Sequence, residues 1–189
     1  LAASLVNKDV YASDLFQPII QKISEMTSLR YDENVHDFRI IADHIRASTF
    51  LIKNGVLPSN KEHGYVLRRL IRRAGMRLYQ MYDAGIDRLL DLEKLVEPVV
   101  NTYGDLYFSS DDSKNISDVV ADESNRFALT LEKGLKEIEK HTHLTGKIAF
   151  DLFQSYGFPV ELTAEIATSR GGSLDMEEYL VEKETHRLL

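Results

Sequence analysis

An all-α fold of packed helices, forming one domain or two helical subdomains, is predicted for this 189-residue chain by three observations. Apolar residues recur at helical spacing through almost every segment. Strand-type alternation is nearly absent, and Gly, Pro and Asn mostly stand between the periodic stretches. A chain of this length buries roughly 70% of its unfolded surface and needs no covalent staples.

The elements follow in order. Ser13 or Asp14 can accept a hydrogen bond from a first-turn N–H and so open a helix through Ser28, with Pro18 tolerated near its start. Asn34 is placed to cap a second helix that ends at Asn54-Gly55. Val56-Leu57-Pro58-Ser59-Asn60 reads as a turn, delivering the chain to a third helix from about Lys61 to Tyr82. Asp87 to Tyr103 reads as helical with a break or kink at Pro98, and the polar stretch 104–116, GDLYFSSDDSKNI, is the best internal boundary. Ser117 is expected to open a long amphipathic helix to about His141. Thr145 to Tyr156, Glu161 to Ser169, a Gly171-Gly172 break and a C-terminal helix complete the chain.

The third helix carries the chemistry. Successive residues rotate by about 100°, so with Arg68 at 0° Arg72 falls near 40°, Arg69 near 100°, Arg73 near 140° and Arg77 near 180°. Leu67, Leu70, Ile71, Ala74, Leu78, Met81 and Tyr82 fill the sector from roughly 200° to 320°. One face is therefore built for a core and the other for a polyanion. Guanidinium groups are always charged, and their planar fork matches phosphate oxygens two at a time. The alternative is a solvated face paired with acidic residues from elsewhere in the chain. Against it, no Asp or Glu is interleaved between Tyr65 and Gln80 to relieve the like-charge repulsion.

Composition sets the class of partner. A net charge of −7 argues against a general nucleic-acid binder, while a local basic patch on an acidic body suits one defined docking surface; no DNA partner is expected. No run approaches about 18 apolar residues and no signal-like N-terminus appears, so no membrane partner is expected. The expected compartment is the cytoplasm, with an organellar origin as the alternative. With no Cys, thiol catalysis and zinc knuckles are excluded, and the six His lack metal-ligand spacing; His141 and His143 read as a polar loop. Asp43, His44 and Arg46 lack a nucleophile or ligand set and read as a buried polar network. No catalytic residue, metal or cofactor is expected in this chain. It begins at Leu1 without Met and ends inside a helix-favouring run, DMEEYLVEKETHRLL, which predicts continuity with further structure at both ends.

Two turns place short polar side chains at the surface. Asn60 offers an amide donor and acceptor beside the cationic helix, able to read a base edge; equally, Ser59 or Asn60 simply caps that helix. Gln154 precedes the helix stop Tyr156-Gly157-Phe158-Pro159 and would ordinarily pass as a solvated residue.

The segments RIIADHIRASTFLIKNGVLPSNKEHGYVLRRLIRRA and AFDLFQSYGFPVELTAEIA resemble the alanyl-tRNA synthetases, in the helical region directly after the class II catalytic core. The similarity runs from Asp14-Leu15-Phe16 to about Ala167. It implies the acceptor stem of tRNA(Ala) as partner, with Asn60 and Gln154 at the two positions that approach the G·U wobble pair from the minor groove. Arg68, Arg69, Arg72, Arg73 and Arg77 would lie at the stem's backbone. The family ligates alanine to its tRNA; by the resemblance, ATP and Mg belong to a catalytic domain of the same chain and zinc to an editing domain, both outside this piece. One position departs: the family reads Tyr-Asp-Thr-Tyr-Gly-Phe-Pro where this chain has Phe153-Gln154-Ser155-Tyr156-Gly157-Phe158-Pro159. A neutral amide replacing a carboxylate would weaken wobble-pair selection by about 1 to 2 kcal/mol. The competing reading is a helical interaction module whose arginine face binds an acidic protein.

Overall fold

The computed structural model describes residues 9–81 and 86–187. Among these, the regular structure is helical throughout and no strand occurs. The helices are α1 (Gln17–Thr27), α2 (Val35–Lys53), α3 (Glu62–Met81), α4 (Val96–Tyr103), α5 (Asp112–Ile138), α6 (Gly146–Tyr156), α7 (Val160–Ser169) and α8 (Met176–Arg187), with 3-10 segments at Val10–Ala12, Tyr31–Glu33, Ile86–Leu95 and Gly104–Leu106. Two compact units are formed, one ending at Ala128 and the other beginning at Leu129.

In the first unit the apolar stripes of α1 to α4 meet. Ile19 and Ile23 of α1, Phe38, Ile41 and Ile45 of α2, and Leu67, Ile71 and Leu78 of α3 are almost wholly buried in one cluster. Each such side chain contributes about 1.5 to 3 kcal/mol relative to exposure. The α2 and α3 pairing sets the position of the arginine helix, and it follows from the periodicity of both segments. Arg46 is enclosed here too: its Nε donates to the Tyr103 hydroxyl at 2.6 Å, and its guanidinium lies over the rings of Phe16, Phe50 and Tyr103 at 5.2, 6.0 and 5.6 Å. It is a structural cation.

Several expected boundaries move, for local reasons. Ser13 does not cap α1; its hydroxyl donates to the Val10 carbonyl and closes a preceding 3-10 turn, so the helix starts at Gln17 behind Phe16. Asn34 stands at the start of α2, but its amide donates backwards to the Arg30 carbonyl. The helix break comes at Leu95-Val96, and Pro98 lies in the first turn of α4, where its missing N–H costs nothing. Tyr82, the expected end of the arginine helix, is outside the described residues. The long helix begins at Asp112, five residues before Ser117, because the Asp112 carboxylate reaches back to accept from the Ser109 N–H and hydroxyl at 2.5 and 2.8 Å. The stretch 104–116, expected as the internal boundary, lies inside the first unit, with Phe108 and Ile116 buried in its core. Hydrophobic anchors at each end outweigh its polar composition.

In the second unit α6 and α8 run side by side. Thr145 caps α6 through the Ile148 N–H, and Gly157, at φ 69, ends it. Gly146 approaches α8 so closely that a Cβ there would meet the Asp175 carbonyl oxygen at 2.4 Å and the Tyr179 nitrogen at 2.5 Å. Ala149, Phe150 and Tyr179 form the cluster between them. Among the described residues, no helix is long and apolar enough to cross a membrane.

Candidate nucleic-acid interface

The loop between α2 and α3 is folded down on the first turn of α3. The Ser59 N–H donates to the Gly64 carbonyl at 3.1 Å, and the Ser59 hydroxyl pairs with the Lys61 backbone. Only glycine permits this: a Cβ on Gly64 would meet Ser59 Oγ at 2.2 Å and the Leu57 carbonyl oxygen at 2.5 Å. Glu62 closes the turn with a left-handed backbone, φ 48, a conformation that costs a non-glycine residue on the order of 1 kcal/mol. The strain sits in the segment that presents Asn60. That side chain is exposed, and its Oδ1 accepts a hydrogen bond from Nη1 of Arg68.

The arginine face is smaller than its helical wheel. Arg69 and Arg73 are exposed and make no hydrogen bond or ion pair among the described residues. Arg68 is half-buried; desolvation and the neighbouring Arg72 charge lower its pKa from the ordinary value, and it stays a cation. Arg72 is turned inward: Nε lies 2.6 Å from Glu123 Oε1, a carboxylate only 2% exposed, and the guanidinium covers the Phe127 ring at 5.4 Å. Arg77 is largely covered as well, with Nη1 3.1 Å from Gln80 Oε1 and 3.7 Å from Asp37 Oδ1. The expectation of five outward guanidiniums is thus corrected to three, Arg68, Arg69 and Arg73. The acids that occupy the other two come from α5 and α2, which the absence of interleaved acids on α3 could not reveal. Met76, near 80° on the same wheel, is 3% exposed, so both sides of the later turns are covered.

Beneath the exposed pair lies His44 of α2. Burial, then the charge of Arg73 and to a lesser degree Arg69, push its imidazole below the usual range, while Asp43, 3.6 Å away, acts the other way. A neutral His44 adds no cation to the site. Leu57, Tyr65 and Val66 stand exposed around Asn60 and the arginines, giving apolar surface beside charge.

Gln154 belongs to the second unit. It is exposed on α6, and its Nε2 lies 2.6 Å from Nε2 of His186 on α8. The His186 ring packs against Phe150 at 5.6 Å, and Lys183 lies over Phe153 at 5.3 Å. Asn60 and Gln154 thus each have a defined neighbour within their own unit. No sequence signal pointed to His186, 32 residues away. Gly64 did leave one, a helix-breaking residue in the first turn of a strong helix.

Among the described residues no group of three His, Asp or Glu stands together as a metal centre. An open groove of roughly 500 Å³, lined by Asp14, Lys22, Glu25, Glu97 and Asn101 among others, gathers no catalytic constellation.

Over residues 2–188 the sequence matches the family described as tRNA synthetases class II (A). It is 42% identical over 186 residues to an alanine–tRNA ligase of Thermotoga maritima, covering 89% of this chain and 20% of that protein. For the alanine–tRNA ligase of Legionella pneumophila the identity is 40% over 176 residues, and for that of Buchnera aphidicola 38% over 177, with the same coverage of 89% and 20%. The chain spans about one fifth of the length of these relatives.

Proposed function

This chain belongs to the class II (A) tRNA synthetases, and from that premise we propose that it is the part of an alanine–tRNA ligase that holds the acceptor stem of tRNA(Ala). The observation that carries this is the loop anchored at Gly64, which sets Asn60 beside Arg68, Arg69 and Arg73 on one exposed surface. Phosphate contacts position a nucleic acid and base-edge contacts specify it. Arg69 and Arg73, four residues apart on one helix face, are suited to the first task, and an exposed amide is suited to the second.

Gln154, on the second unit, is the other candidate base reader. The parent enzyme would ligate alanine to its tRNA in the cytoplasm, with ATP and Mg held by a catalytic domain of the same chain and zinc by an editing domain. Among the described residues no group of three His, Asp or Glu stands together that could hold a metal ion. This piece contributes recognition, fixing the 3′ end by geometry.

The test is affinity for an alanine acceptor-stem minihelix as a function of salt. Binding should weaken steeply as salt rises, because each neutralised phosphate releases counterions. Charge reversal at Arg69 and Arg73 together should lower affinity across RNA sequences and reduce the salt slope by about 2. Absence of binding at low salt, with capture of an acidic protein partner instead, would favour the interaction-module reading.

A further inference from the structure

Each candidate base-reading amide touches a neighbour that can satisfy only one of its two ends. Arg68 is a donor without acceptor capacity, and it occupies Oδ1 of Asn60. The Asn60 NH2 is left at the surface, with no partner among the described residues. At Gln154 the arrangement is reversed. Its amide nitrogen can only donate, so in this contact the His186 Nε2 at 2.6 Å takes the acceptor role, which the tautomer protonated on Nδ1 allows. The Gln154 carbonyl oxygen is the end left open.

We infer that Arg68 and His186 are positioning residues that fix the polarity of the two amides, so that Asn60 presents a donor and Gln154 an acceptor. This rests on the acceptor-stem reading above. In the minor groove a guanine displays its 2-amino donor, while purine N3 and pyrimidine O2 are acceptors. An outward Gln154 carbonyl matches the amino group; the same side chain rotated end for end would set donor against donor. An outward Asn60 NH2 matches the ring acceptors. The arrangement also answers the departure at position 154. A carboxylate accepts through either oxygen and needs no orienting partner, whereas an amide reads the guanine amino group only if something holds its nitrogen away. His186 does so.

The experiment compares minihelices carrying G·U or G·C at the wobble position, measuring Kd for this chain at one salt concentration. In G·U the guanine amino group has no partner on the opposite base, whereas in G·C cytosine O2 takes one of its hydrogens. His186→Arg, a donor only that draws the Gln154 carbonyl inward, should therefore reduce the G·U preference about fivefold, the worth of one base-edge hydrogen bond. His186→Glu, an acceptor only, should keep it. Adding Gln154→Glu to His186→Arg should restore it, since a carboxylate can accept from both sides. Charge alone shifts Kd for both RNAs in the same direction and leaves the ratio unchanged. Structural damage by His186→Arg would persist in the double variant, and failure of that rescue overturns the inference. If the wild-type chain prefers G·U and His186→Arg does too, the inference falls while the acceptor-stem reading stands. A wild-type chain that binds both RNAs equally removes the base-reading role of Gln154 and the inference with it.

Discussion

Arg72 shows how a single residue divides what sequence can and cannot say. The wheel sets it near 40° on the cationic face, but its charge is used internally, by a buried carboxylate 51 positions away. Removing one partner of such a pair leaves the other charged and unpaired, which costs about 3 to 5 kcal/mol. Arg72→Ala should therefore lower the unfolding free energy by that order in chemical denaturation, with lost packing on Phe127 included. The paired replacement Arg72→Met with Glu123→Leu should recover most of the stability and retain minihelix affinity. A large loss of affinity in that folded pair would return Arg72 to the RNA-facing set. The orientation of the Gln154 amide was likewise hidden, since it depends on an imidazole brought in by a different helix.

At the scale of elements, the helices were legible and their ends less so. Periodicity marked α2, α3, α6 and α7 closely, because each buries one face in its own unit; α2, α6 and α7 also end within two residues of a glycine. Capping was misread at Ser13 and Asn34, whose side chains found nearer backbone partners on the wrong side of the helix start. The loop between α2 and α3 was legible as a turn but not as a built platform. There Gly64→Ala sets two effects against each other: alanine favours the helix by about 1 kcal/mol, while its methyl collides with Ser59 and the Leu57 carbonyl. The expected result is a small change in thermal stability with a loss of minihelix affinity of about fivefold or more, as the loop lifts. Unchanged affinity would show that the loop does not present Asn60 to RNA.

For the molecule as a whole, the fold class followed from composition and period, whereas the boundary between units did not. Ala128 and Leu129 lie within one continuous helical pattern, so no composition shift marks the division. In the first unit, the Asp112 carboxylate joins α5 to α2 through Lys53 Nζ at 2.6 Å. Hydrogen bonding from Lys53, then from Ser109, holds its pKa down from 3.8 to about 2. A depressed carboxylate pKa gives stability that is present above the unfolded value and lost as pH falls through the folded one. Acid titration should thus show weakening of the first unit between about pH 4 and pH 2. Asp112→Asn should flatten that limb; an identical acid profile in the variant would assign the loss to other carboxylates.

The enclosure of Arg72 by Glu123 and of Arg77 by Asp37 reaches beyond the stability of the first unit. Excised as a free peptide, α3 would regain both cations and grip any polyanion more greedily than the intact chain does. Tertiary structure here subtracts adhesiveness, so that selectivity is gained by withholding charge.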